Sequence, residues 1–161
     1  MNIYYTVSSL PELTFFQPPS ISWEKFCEAV GGEEEAARLE GKFAVLDTLL
    51  RNAIAEARDG ADCMRPQSGC SIYWKNRILA CFRESDVAAR ETALDRVRWD
   101  AAGELTPPAS PLGEGALATY AVRLKIALRR AAVSSARGME IFDKMMAETK
   151  TTFLTKIKSL L

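Results

Sequence analysis

Apolar residues recur every three or four positions along most of this chain, which is the spacing of one face of an α-helix. In residues 33–58 this spacing predicts one long helix, which Gly41 could kink or divide. Shorter helices are predicted over residues 22–30, 72–82 and 85–105. We therefore expect an all-α fold, a helical bundle with long helices.

The chain beyond residue 113 is predicted to be helical almost to its end, with Gly138 at a bend or between two helices. It carries two apolar stripes, formed first by Leu117, Tyr120, Leu124, Leu128 and Ala131 and then by Met139, Phe142, Met146, Phe153, Ile157 and Leu160. Proline, serine and glycine in residues 106–113 are typical of a linker. We expect this linker to join an N-terminal lobe, residues 1–105, to a C-terminal helical region, residues 114–161, that packs on it within one domain.

The N-terminal residues have a different composition from the helical segments. Residues 3–7 are rich in β-branched and aromatic side chains and predict a short extended segment. Prolines at positions 11, 18 and 19 keep the following chain out of a helix. We therefore predict an extended N-terminal arm that either packs on the helices or docks on a partner; a flexible tail is the third interpretation. The residues that would do so are Tyr4, Tyr5, Leu10, Phe15 and Phe16.

Two polar features interrupt the apolar helical pattern. Arg51 and Asn52 lie next to the apolar stripe of the long helix and suggest a buried hydrogen-bonding network. Trp99 lies between Arg98 and Asp100 near the end of the N-terminal lobe. Its large amphipathic ring predicts an anchor at the lobe boundary.

The chain lacks the residues of the common catalytic centres. It contains no histidine, which excludes Ser-His-Asp and Cys-His sites and the usual zinc patterns. No Gly-rich phosphate-binding motif is present. The carboxylates are those of ordinary solvated helix faces. We therefore expect no enzymatic activity, no metal, no cofactor and no small-molecule substrate.

Charge and cysteine content give further bounds. The 21 basic and 21 acidic residues cancel, so no net field favours nucleic acid. Glutamates 33–35 suit the first turn of a helix.

No apolar run reaches the length of a membrane span, and the N-terminus has no secretory pattern, so we expect a cytoplasmic protein with free thiols. Cys63 and Cys70 flank a loop and could pair under oxidation.

Four segments resemble a family of bacterial proteins encoded beside V/A-type ATPase subunits. They are YYTVSSLP (residues 4–11), LRNAIA (50–55) followed by Arg58, ETALDRVRWD (91–100), and YAVRLKI (120–126) leading to Gly138. The aromatic opening followed by helices is also distantly similar to the ATPase subunit called C in bacteria and d in eukaryotes. That subunit is a helical socket between the rotor's central stalk and the membrane ring.

The resemblance implies a non-catalytic accessory or structural subunit that contacts V/A-type ATPase subunits and lies at the periphery of the membrane. The alternative is an unrelated helical binding module. Such a module could bind RNA through a basic helix face formed by Arg123, Lys125, Arg129 and Arg130. The charged outer face of a bundle is the simpler interpretation of those residues.

Overall fold

The computed structural model describes residues 2–60, 64–65, 69 and 71–133. Over these residues the chain forms seven α-helices and no β-strand, which confirms the predicted all-α helical bundle. The helices are α1 (Ile3–Ser9), α2 (Trp23–Val30), α3 (Glu33–Gly41), α4 (Ala44–Asp59), α5 (Ile72–Cys81), α6 (Val87–Ala101) and α7 (Glu114–Ala132), and a 3₁₀ turn, Ala102–Leu105, continues α6.

Several predictions concern residues outside the described ranges. They are the second C-terminal stripe, Gly138, and the pairing of Cys63 with Cys70. Cys27 and Cys81 are described, and both are buried free thiols, as expected. None of the helices in the described ranges combines the length and the apolar character that a membrane span requires.

Buried side chains form two clusters. The first core cluster joins α4, α5 and α6 and includes Leu50 and Ile78. The second core cluster joins α2 and α3 and includes Phe26 and Leu39. Helix α7 contributes to both, with Val122, Ile126 and Ala127 in the first and Leu117, Ala118, Ala121 and Leu124 in the second. Because it is apolar on more than one face, α7 is the helix around which both clusters assemble.

The predicted extended segment at the N-terminus is wrong, because the chain is helical over Ile3–Ser9. The side-chain oxygen of Asn2 caps this helix by accepting a hydrogen bond from a backbone N–H three residues on, at 3.2 Å. Ile3, Val7 and Leu10 recur at helical spacing and pack on the second core cluster. Burial of that stripe outweighs the β propensity of the individual residues.

The single long helix predicted over residues 33–58 is divided into α3 and α4. The division falls directly after Gly41, at Lys42 and Phe43, and it places the Phe43 ring in the first core cluster. Glutamates 33–35 occupy the first turn of α3, as predicted. The charge of these side chains stabilises the helix start.

Residues 106–113 form a connection of tight turns, and most of its side chains are exposed. Its first turn closes with a hydrogen bond from the N–H of Ser110 to the carbonyl of Pro107 at 2.9 Å. Gly115, in the first turn of α7, packs directly on this chain. A Cβ at that position would overlap the carbonyl oxygen of Leu105 and lie 3.1 Å from Pro107 Cδ.

The chain divides into two compact units, Met1–Leu128 and Arg129–Leu161. Both core clusters, the connection and the chain before α2, residues 2–22, belong to the first unit. We call residues 2–22 the N-terminal segment. Of the second unit, the described residues are 129–133, which include the last turn of α7.

Candidate functional site

The five predicted arm residues have two different environments. Phe15 is buried in the first core cluster, and Leu10 packs on the second, so these two hold the N-terminal segment to the helices as expected. Tyr4, Tyr5 and Phe16 are instead 65%, 73% and 77% exposed. The packing interpretation is therefore wrong for Tyr4 and Tyr5, whereas the Phe16 ring meets that of Phe15 edge to face with the centroids 4.9 Å apart. Partner binding stays a prediction for all three.

Trp99 lies at the centre of an aromatic and arginine cluster in the first unit. Its ring is buried and meets the ring of Phe15 edge to face, with the centroids 5.5 Å apart. The guanidinium of Arg96 lies 5.1 Å from the centroid of Phe15, and that of Arg123 lies 5.2 Å from the centroid of Trp99. These contacts connect the N-terminal segment, α6 and α7.

Arg51 and Asn52 do not form one buried network. Asn52 is buried, and its side-chain amide donates to the carbonyl of Arg65 at 3.0 Å and accepts from the N–H of Arg65 at 2.8 Å. Arg51 is exposed and pairs with Asp47 at 2.6 Å. The prediction of burial is wrong for Arg51 because successive residues of a helix point about 100° apart.

A cavity of about 370 Å³ lies between the N-terminal segment, the connection and α7. The N-terminal segment contributes apolar side chains, among them Val7 and Leu10. Helix α7 contributes Thr119, Tyr120 and Arg123. The volume is within the range of small-molecule sites. We call this feature the α7 cavity.

Arg123 is the positive group of the α7 cavity. Its Nε donates to the carbonyl of Trp99 at 3.1 Å, which fixes the guanidinium over the Trp99 ring. In the described part of the chain it has no carboxylate in an ion pair. Burial lowers the pKa of Arg123, and Arg96 lowers it further, whereas Asp100 raises it.

Three hydroxyl groups line the α7 cavity, and each gives its hydrogen to the protein. Tyr120 donates to the carbonyl of Pro11 at 2.9 Å. Thr119 donates to the carbonyl of Ala102 at 2.8 Å, and its oxygen lies 2.8 Å from the hydroxyl oxygen of Thr106. Because a hydroxyl has one hydrogen, Thr106 is the donor in this second bond. The hydroxyls therefore offer lone pairs to a ligand.

Two members of the predicted basic face make contacts within the fold. Arg123 bonds to Trp99, as described above. Lys125 pairs with Glu40 of α3 at 2.5 Å and lies 4.4 Å from the centroid of the Trp23 ring. These contacts support the outer-face interpretation for Lys125 and do not favour RNA binding.

Sequence reasoning did not find the α7 cavity. It assigned Tyr120 to the core stripe and Arg123 to the basic face. The available signal was Thr119, a polar residue within the apolar run ALATYAV, since a hydroxyl in such a run must find a buried partner.

A comparison with protein-family models, curated proteins and solved structures finds no match to this chain. In the described ranges, no three potential ligands among Cys, Asp and Glu lie close enough together to hold a metal ion.

Proposed function

We propose that this protein is a non-catalytic binding protein that acts through protein–protein contacts, as an accessory or structural subunit of a bacterial V/A-type ATPase. The observation that carries the proposal is the pair of exposed aromatic side chains on α1, Tyr4 and Tyr5. Tyrosine is enriched at protein interfaces because its ring supplies apolar area and its hydroxyl supplies a hydrogen bond. We call this pair the α1 aromatic face.

The α1 aromatic face is presented by a helix whose other side is packed. Ile3, Val7 and Leu10 hold α1 on the second core cluster, and Phe15 holds the following chain on the first. An interface that is ordered before binding loses less conformational entropy in the complex. The packing of α1 thus supports a role in binding rather than that of a loose tail.

The identity of the partner rests on the sequence resemblance. The first resembling segment, residues 4–11, includes both tyrosines and Leu10. An ATPase subunit exposed to the cytoplasm would place the protein at the periphery of the membrane.

The test is co-purification of the tagged protein with ATPase subunits from a bacterial host that encodes both. We expect the wild-type chain to capture them and the double variant Tyr4→Ser/Tyr5→Ser to lose them, because the exposed rings would supply the contact area. Tyr73→Ser is the matched control, since Tyr73 is 61% exposed on α5. Circular dichroism should show that all variants keep their helix content.

Two results would contradict the proposal. One is a wild-type chain that captures no ATPase subunit. The other is a double tyrosine variant that captures as much as the Tyr73→Ser control. Point variants are sharper here than deletion of residues 1–19, because the deletion also removes Phe15 from the first core cluster.

A further inference from the structure

We propose that the α7 cavity binds a small oxyanion, a free carboxylate or phosphate compound whose negative group pairs with Arg123. This inference goes beyond the proposed function and does not depend on it. It concerns binding without a chemical reaction.

The charge balance around Arg123 favours a bound anion. Asp100 is the carboxylate that acts on Arg123, but it already pairs with Arg77 at 2.7 Å and with Arg96 at 3.0 Å. Arg123 therefore shares the charge of Asp100 with two other guanidinium groups and, in the described part of the chain, has no carboxylate of its own. A half-buried guanidinium without its own counterion can pair with a bound oxyanion through charged hydrogen bonds.

The hydrogen-bond donors that the α7 cavity offers to a ligand belong to Arg123. The hydroxyls of Thr106, Thr119 and Tyr120 have given their hydrogens to the protein. Among the described residues, the bond that Arg123 makes is the one from its Nε to Trp99, so its terminal Nη groups still have hydrogens to donate. A guanidinium edge binds a carboxylate or phosphate through two parallel hydrogen bonds. The hydroxyl lone pairs can in turn accept hydrogen bonds from a hydroxyl group of the ligand.

Apolar side chains form part of the lining of the α7 cavity. Val7, Leu10, Leu13 and Ala116 surround the cavity on the side of the N-terminal segment and the start of α7. They offer apolar contacts to the carbon skeleton of a ligand, beside the polar groups of the lining. Glu12 also lines the cavity, but it is exposed, so solvent and salt screen its charge more than that of the half-buried Arg123.

The probes are acetate, succinate and inorganic phosphate, added at constant ionic strength with chloride as the reference salt. Binding is followed by thermal shift and by chemical-shift changes in NMR spectra of the labelled protein. We expect saturable stabilisation by at least one probe. We also expect chemical-shift changes confined to residues around the α7 cavity.

Three variants test the role of Arg123. Arg123→Gln should weaken binding about tenfold or more, because the charged hydrogen bonds are lost. Arg83→Gln is the matched control, since Arg83 is exposed and outside the cavity lining. If Arg123→Gln fails to fold, Ala116→Leu still tests whether the ligand binds in the α7 cavity, because the larger side chain fills the cavity without changing its charge.

Saturable binding that Arg123→Gln or Ala116→Leu removes, and that Arg83→Gln keeps, supports the proposal. Absence of saturable binding for all three probes overturns it. Equal binding by wild type and Arg123→Gln also overturns it. If no probe binds and Arg123→Gln instead loses only the capture of ATPase subunits, Arg123 belongs to a partner surface and the proposal is wrong. Failure of the tyrosine test alone leaves this result unaffected.

Discussion

Replacement of Gly115 by alanine should destabilise the protein, although the same change usually stabilises a helix. Gly115 lies in the first turn of α7, where an added Cβ would overlap the carbonyl oxygen of Leu105 and lie 3.0 Å from its carbonyl carbon. The obstacle is backbone, so no side-chain rotation can relieve it. Either α7 or the connection after Leu105 must move by more than about 1 Å to restore van der Waals separation.

The size of the effect follows from two opposing contributions. Alanine is favoured over glycine by up to about 1 kcal/mol in a helix. Forcing extra volume into close-packed structure costs about 1–3 kcal/mol, and the moving chain here carries Leu105, which packs on both core clusters. We expect a net loss of about 1–2 kcal/mol in the free energy of unfolding, since the packing cost is the larger contribution.

Gly41→Ala is the matched control. Gly41 is the last residue of α3, and a Cβ there would meet no atom within 4 Å. This variant should be neutral or gain up to about 1 kcal/mol. Urea denaturation followed by circular dichroism measures both changes. If Gly115→Ala is as stable as Gly41→Ala, the close packing of the connection on α7 is refuted.

The remaining predictions use the same denaturation assay. Asn52→Ala should lower the free energy of unfolding by about 1–2 kcal/mol, because both hydrogen bonds to the Arg65 backbone disappear. Asn76→Ala, an exposed helical control, should change it little. Equal losses in the two variants would contradict the role of Asn52. Burial raises the pKa of Tyr120 to about 12, whereas tyrosine in an unfolded chain ionises near 10. The contribution of Tyr120 should therefore be complete below about pH 10 and decline as the pH rises towards 12, so the difference in stability between wild type and Tyr120→Phe should depend on pH in that window and be constant below it.

Much of the helical architecture could be predicted because long amphipathic segments repeat their signal. The α4 stripe places Leu46, Leu50 and Ile54 at successive turns, and all three lie in or against the first core cluster. Helix α5 begins at the predicted residue, Ile72, and ends at Cys81, one residue before its predicted end. In both cases burial of one apolar face and the local helix preference favour the same structure.

The N-terminal segment was predicted wrongly because its signals conflict. Tyr4, Tyr5, Thr6 and Val7 each favour a strand, while the Asn2 cap and the spacing of the buried side chains favour a helix. In a helix of seven residues, tertiary burial decides between them. At the division between α3 and α4, burial of the Phe43 ring in the first core cluster likewise outweighs the continuous helical spacing of the apolar residues.

The α7 cavity could not be predicted because its parts are distant in sequence. Arg123 bonds to Trp99, which lies 24 residues earlier, and Tyr120 bonds to Pro11, which lies 109 residues earlier. No periodic pattern encodes such pairs. They depend on the path of the connection that leads into α7 and on which sides of α7 contact the two core clusters.

The N-terminal segment belongs to both proposed sites, so a variant can separate the two sites only if it changes one of them and not the other. Its outer residues, Tyr4 and Tyr5, form the α1 aromatic face, while Val7 lines the α7 cavity from the same helix. A variant that displaces α1 would therefore weaken partner capture and oxyanion binding together and could not separate them. Arg123 lies on α7 and Tyr4 and Tyr5 are mostly exposed, so variants at these positions replace none of the α1 side chains that pack on the second core cluster. Opposite results in the two assays would show that the surface and the cavity are separate sites.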